Sequence, residues 1–294
     1  MLDVHRLVVL REIGVRGSMT AAARALRYSH SAISQQMRIL EKETGAVLLE
    51  RVGRGVRLTD AAQQLVRHTE EVMSILERAE SDLASADVEI RGSLRIAAFS
   101  SAARVAVPGT LARLRELHPA LRVDFEEHEP EAGLSLLAAR RIDLLVVDEY
   151  PGATLPVGPA FHSELICRDP IGVFLPTGVH AGTVADLERL AWVMEPTGTG
   201  AHSWSLRLCR ELGFEPQVRY LSADLLLHLR MVEAEVAAAF LPGLLLGETG
   251  SVLERSRLFP DELHRGILAV CREGSQERPA IRAGRQVIAE VLIR

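Results

Sequence analysis

Lysine is almost missing from this 294-residue chain: Lys42 stands alone, and arginine supplies the other 33 of its 34 Lys/Arg side chains. That bias reads as the mark of a GC-rich genome rather than of a function. Aromatic residues make up only 4%, so aliphatic side chains must fill most of any core. The three cysteines, Cys167, Cys209 and Cys271, are odd in number and far apart. That excludes a disulfide framework or a Cys-x-x-Cys metal pair and leaves buried free thiols as the expectation. No apolar run approaches the ~18 residues of a membrane helix. The first residues lack the basic start, apolar stretch and small-residue cleavage site of a secretion signal. A cytoplasmic protein without a membrane partner is expected. Also missing are a Gly-x-Ser-x-Gly elbow, a P-loop and a His/Glu pair at metal spacing. No catalysis, metal or cofactor is therefore expected.

What is present is an ordinary globular composition, 48% hydrophobic and 25% charged. The length suits two or three compact domains. The net charge of −5 conceals an asymmetry. Residues 1–58 hold ten Arg/Lys against five Asp/Glu, and the rest hold 24 against 34. A basic head on an acidic body fits a nucleic-acid-binding end joined to a different second end.

Periodicity organises the chain. Leu2, His5, Leu7, Val8, Leu10 and Ile13 give a first helical face, punctuated by Gly14 and Gly17. Ser18 caps a second helix, from Met19 to Leu26. A third runs from about His30 to Lys42, with Ile33, Met37 and Leu40 on one face and Gly45 as its stop. Residues 47–51 and 56–58 read as a strand pair around Gly53, Arg54 and Gly55, a wing. Residues 60–88 contain no Gly or Pro, and Leu65, Thr69, Val72, Leu76, Ala79, Leu83 and Ala86 recur at alternating spacings of four and three. Such a heptad seam on a long helix predicts a dimer partner.

From Leu94 onward, strands alternate with helices. Strands are expected near 94–99, 122–127, 142–147, 171–175, 191–195, 218–221, 237–241 and 267–271. Helices are expected near 105–117, 131–140, 201–212, 223–234 and 277–293. That alternation predicts an α/β fold with parallel sheets, in one domain or two small lobes.

Ser18, Thr20, Ala22, Ala23 and Leu26, then Ser29, Ser31, Ala32, Ser34 and Gln36, then Leu40, Glu41, Gly45, Leu48, Arg51, Leu58 and Thr59 stand in one fixed register. Small Ala22 and Ala23 permit close helix packing. The start of the third helix is unusually polar, as a helix presented to base edges in a major groove would be. This register resembles the signature of LysR-type transcriptional regulators over about 60 residues, and the rest of the chain follows the family more weakly. The resemblance implies a two-part fold (α+β, then α/β). It comprises a winged helix-turn-helix (1–59), a linker and dimerisation helix (60–90), and a two-lobed α/β effector domain like the periplasmic binding proteins (91–294). Lobe 1 would hold about 91–165 and 267–294, and lobe 2 about 166–266.

It also implies roles. Ser29, His30, Ser31, Ser34 and Gln35 would read bases, while Thr20, Arg38, Arg51, Arg54 and Arg57 would meet the DNA backbone or the minor groove. The partners implied are a double-stranded operator with an interrupted palindrome, a small-molecule co-inducer, and copies of the chain forming a homodimer and then a homotetramer. Four departures stand out. His30 replaces the usual Gln, Leu49 replaces the usual Phe, and Ala61-Ala62 replaces the usual start of the linker helix. The usual Val-x-x-Gly-x-Gly before Leu-Pro becomes residues 232–242, with both glycines lost.

Ligands in α/β domains bind where strands end and helices begin. Ser100 and Ser101, His128, Asp148 with Glu149, the loop Pro196, Thr197, Gly198, Thr199 and Gly200, and Ser222 occupy such places. The Thr-Gly-Thr-Gly loop frees backbone N–H groups for a carboxylate. Acids opposite donors would suit a zwitterion, so an amino acid or an organic acid is the expected effector class. Two rival readings explain only half the chain each: a secreted solute-binding protein leaves residues 1–59 idle, and a structural DNA-binding protein leaves the remainder idle. A hydrolase triad from Ser100, a His and Asp148 lacks the elbow.

Overall fold

A computed structural model describes residues 2–52, 55–85, 89–153, 157–250 and 253–293. The chain forms two units, Met1–Leu83 and Ala84–Arg294.

The first unit opens with three helices, α1 (Val4–Arg16), α2 (Met19–Leu26) and α3 (His30–Thr44). Each starts on a side-chain cap. Asp3 accepts from the N–H of His5 and Arg6, Ser18 from Ala21, and Ser29 from Ala32. Gly17 and Gly45 end α1 and α3 in the left-handed conformation that glycine adopts without strain. Gly14 lies within α1 rather than at its end. Leu10, Ile13, Ile33, Met37 and Leu40 are fully buried together, with Ala22 and Ala23 letting α2 approach. The antiparallel pair β1 (Leu49–Val52) and β2 (Gly55–Leu58) forms the wing. Thr59 then donates to the Val47 carbonyl (2.9 Å) and accepts from the Ala62 N–H (3.2 Å), joining the wing to α4 (Asp60–Ser85). Of the predicted seam on α4, Thr69 is buried and Leu65 and Val72 are half-buried, whereas Leu76 and Leu83 are exposed, as is neighbouring Ile75. Ala86 lies outside the described residues.

The second unit contains β3 (Gly92–Ala98), α5 (Ser100–Leu117), β4 (Leu121–Glu127), α6 (Pro130–Ala138), β5 (Leu144–Glu149), β6 (Phe161–Phe174), α7 (Val184–Arg189) and β7 (Ala191–Met194). These are followed by α8 (Gly200–Leu212), β8 (Gln217–Leu221), α9 (Leu225–Glu233), β9 (Ala239–Pro242), α10 (Gly243–Thr249), β10 (His264–Arg272) and α11 (Pro279–Leu292). The expectation of parallel sheets is corrected. The six-stranded sheet runs β4-β3-β5-β10-β6-β9, parallel only across β4, β3 and β5. A late strand, β10, inserts antiparallel between β5 and β6.

The 14-residue β6 joins the lobes. Its residues from Phe161 to Pro170 pair with β10, and Ile171 to Phe174 pair with β9. One lobe packs an aliphatic core of Leu94, Ile96, Val146, Ile281 and Ile288 against the sheet. The scarce aromatics gather in the other: Trp192 contacts Phe214, Phe240 and Phe259, and Trp204 contacts Tyr150 and Phe240. Cys209 and Cys271 are buried and Cys167 is half-buried, and none of the three is in a disulfide.

The lost glycines have a local consequence. Glu235 stands at the first of those positions and holds φ at +62°, while its side chain is exposed. A residue with a Cβ in this conformation is strained by about 1 kcal/mol or more relative to glycine. Glu235→Gly is therefore expected to raise stability by about 1 kcal/mol in a urea melt; a lower midpoint would contradict this.

Candidate functional site

In the first unit the signature residues divide into two groups. Gln36 and Glu41 face inward. Gln36 accepts from Arg6 Nε on α1 (3.2 Å), and the Glu41 carboxylate accepts the Leu48 N–H (2.9 Å), fixing the turn into the wing. The start of α3 faces outward: Ser29, His30, Ser31 and Gln35 are exposed and Ser34 is half-buried. Ser29 Oγ caps the helix at 3.1 Å and lies 2.9 Å from Ser31 Oγ. The positive end of the α3 dipole and these donors share one surface. Thr20 is exposed in the first turn of α2, and Arg38 and Arg51 are exposed. Arg57 is exposed too, but pairs across the wing with Glu50 at 3.0 Å. Arg54 lies outside the described residues.

The carboxylates of this unit are largely consumed elsewhere. Glu12 pairs with Arg16, Glu43 with Arg6, and Glu70 with Arg11. Exposed Arg24, Arg27, Arg38 and Arg51 have no ion pair among the described residues. They are left as the cations available to phosphates. Arg24 and Arg27 escaped the sequence reading, although their place at the end of α2, next to the α3 start, was visible in it.

In the second unit a cleft of about 360 Å³ opens between the lobes. Asp148 reaches it from β5 and Tyr150 from just after β5, Glu129 and Glu131 from the start of α6, Glu195 and Pro196 from the end of β7, and Gly198, Thr199, Ala201 and Ser203 from the start of α8. Thr199 caps α8, accepting from the His202 N–H at 3.2 Å and donating to the Pro196 carbonyl at 2.9 Å.

Other expected positions do not line it. α5 starts five residues earlier than expected and runs through Pro108, so Ser100 and Ser101 open a helix rather than a loop. Ser101 is buried and accepts from Arg265 Nη2 (2.9 Å). His128 turns to Glu126 (3.0 Å), and Ser222 accepts from the Asp224 N–H (3.0 Å). Thr197 is exposed outside the lining.

Sequence reasoning missed Glu129, Glu131, Glu195 and, beneath the cleft, Arg265. Arg265 is 1% exposed and donates to Asp169 (2.9 Å), Asp148 (3.0 Å) and Ser101, while stacking over Phe99. Asp169 also accepts the Leu244 N–H (2.9 Å) at the start of α10. One guanidinium thus ties β5, β6, β10 and two helix starts. Burial, and then the charge of Asp148, push the Glu195 carboxyl up to about 8. The same two causes raise Glu129.

Residues 4–63 match the model of the bacterial regulatory helix-turn-helix protein, lysR family, and residues 88–293 match that of the LysR substrate binding domain. The RuBisCO operon transcriptional regulator of Allochromatium vinosum is 28% identical over 72% of this chain and 70% of its own length. A full-length OxyR variant from Pseudomonas aeruginosa shares the fold at a TM-score of 0.68 and 17% identity, covering 98% of this chain and 95% of that one. CbnR in complex with its target DNA shares it at 0.52 and 20%, covering 98% and 100%. With a helix-turn-helix in its first unit and an effector-binding domain in its second, the chain belongs to the LysR family of transcriptional regulators, a family of DNA-binding proteins rather than enzymes.

Proposed function

We propose that this regulator sets α3 into the major groove of an interrupted-palindrome operator, and that a small molecule in the interlobe cleft changes how it binds there. The single observation that carries the reading is the exposed, capped, polar start of α3 beside arginines with no carboxylate partner among the described residues. Ser29, His30, Ser31, Ser34 and Gln35 supply base contacts, and Thr20, Arg24, Arg27, Arg38, Arg51, Arg54 and Arg57 supply backbone contacts. α4 is about 39 Å long at 1.5 Å per residue. Exposed Ile75, Leu76 and Leu83 on it suit a homodimer that assembles further to a tetramer. The protein acts in the cytoplasm, where operator DNA is. Ligand binding favours one arrangement of the lobes, and the preference between arrangements sets the change in operator affinity or bend.

An electrophoretic shift on DNA upstream of the gene, with and without a metabolite panel, tests this reading. A shift that some metabolite alters supports it, and the absence of any DNA shift contradicts it. Arg51→Ala is expected to weaken all operators about equally and to lower the slope of log affinity against log salt by about 1. An unchanged slope would remove Arg51 from the interface.

A further inference from the structure

We propose that the cleft takes a ligand bearing an ammonium or guanidinium group, held by Asp148 and Glu195, and that it rejects simple organic anions. The inference rests on the cleft being the effector site. Among the described residues, four carboxylates line the cleft, those of Glu129, Glu131, Asp148 and Glu195, and no Arg, Lys or His side chain does. The guanidinium that acts on Glu195, that of Arg265, is committed beneath the surface to Asp169, Asp148 and Ser101. In the lining described, an incoming anion would meet four acidic side chains and no cationic one.

The second observation is Glu195 itself. Its carboxyl group is largely buried, opens on the cleft, and has no hydrogen bond or ion pair among the described residues. A buried carboxyl without a partner is costly, and a cationic donor relieves that cost. Asp148 accepts from Arg265 through Oδ2 and also lines the cleft. The Tyr150 ring, tilted against Trp204 at 5.3 Å, adds an aromatic wall of the kind that favours cations. The first turn of α8 borders the same cleft. A zwitterionic amino acid therefore fits as well as a simple amine, and the cation is what they share.

A consequence follows for protons. Glu195 faces Asp148 from β5, Glu129 and Glu131 from α6, Arg265 from β10, Tyr150, and His228 from α9 across an adjoining void. In this company it holds its proton near neutral pH, and a bound cation makes it give that proton up.

Titration calorimetry on the full-length protein with agmatine, L-arginine and succinate tests the proposal. Agmatine or arginine is expected to bind at millimolar concentration or below, and succinate is not. The binding enthalpy should differ between two buffers of different ionisation enthalpy. Asp148→Asn should weaken binding roughly tenfold or more, the worth of one charge-assisted contact. Glu195→Gln, close in size and uncharged, should reduce the buffer dependence, the raised Glu129 carboxyl accounting for any that is left. Succinate binding without either cation would overturn the proposal. If that succinate binding were lost in Ser203→Arg, which obstructs the cleft, the effector reading would still stand. Cation binding that neither variant alters, or no binding by any of the three probes, would also overturn it, while the operator shift judges the effector reading separately.

Discussion

Arg265→Met is expected to destabilise the second unit by about 3–5 kcal/mol, the usual cost of removing one partner from a buried charge cluster. The loss comes from what remains. Asp169 and Asp148 would keep their positions near the sheet centre without the guanidinium they share, and Ser101 would lose its donor. At roughly 2–4 °C per kcal/mol for a domain of this size, the thermal midpoint should fall by about 10 °C. Adding Asp169→Asn to Arg265→Met should restore part of the loss, because one of the stranded charges is then gone. A melting curve for Arg265→Met that overlays the wild type would show that the cluster contributes no net stability.

The second large effect depends on pH. The Glu195 carboxyl titrates near pH 4.5 in the unfolded chain and at about 8 in the folded one. The folded state therefore binds the proton more tightly throughout that interval. Stability owed to this proton is complete below about pH 4.5 and is lost progressively as pH rises to about 8, above which the loss is constant. At about 1.4 kcal/mol per unit, with allowance for the partial exposure of the group, the loss is on the order of 2–4 kcal/mol. Glu195→Gln removes it. The variant should match the wild type near pH 4.5 and exceed it by that amount at pH 8 and above in urea unfolding. A stability difference that does not change with pH would contradict the burial and Asp148 charge invoked for Glu195.

The two units differ in how far the sequence reveals them. The helix-turn-helix is assembled from contacts close in sequence. Caps at Ser18 and Ser29, stops at Gly17 and Gly45, and the period of Ile33, Met37 and Leu40 specify it almost completely. Most elements of the α/β half are legible in the same way, but their pairing is not. β10 lies beside β5 although more than a hundred residues separate them, and no local pattern encodes that choice. The first part of β6 carries polar residues that hide a strand, because an antiparallel neighbour does not require apolar residues on both faces. α7 and α10 are short and gave no periodic signal.

The cleft shows the same division. Asp148, Pro196, Gly198 and Thr199 sit at strand ends or helix starts, where a sequence reading looks for ligand contacts, and they do line it. Glu129 and Glu195 sit beside positions already singled out, His128 and Pro196, and their significance lies in converging with Asp148 across the cleft. Arg265 follows no motif at all, and its role exists only because β10 threads between β5 and β6. At Glu235 the sequence showed that a glycine was lost, but only the backbone showed that the left-handed turn was kept without it.

Selection of binding sites from a randomised duplex pool tests the central claim most directly, with wild type and His30→Ala run in parallel. The exposed start of α3 predicts that the wild type enriches one interrupted palindrome and that His30→Ala enriches a related palindrome altered at the bases His30 faces. One good base contact carries about 1–3 kcal/mol of discrimination. Wild-type pools with no sequence enriched above the starting distribution would contradict the account.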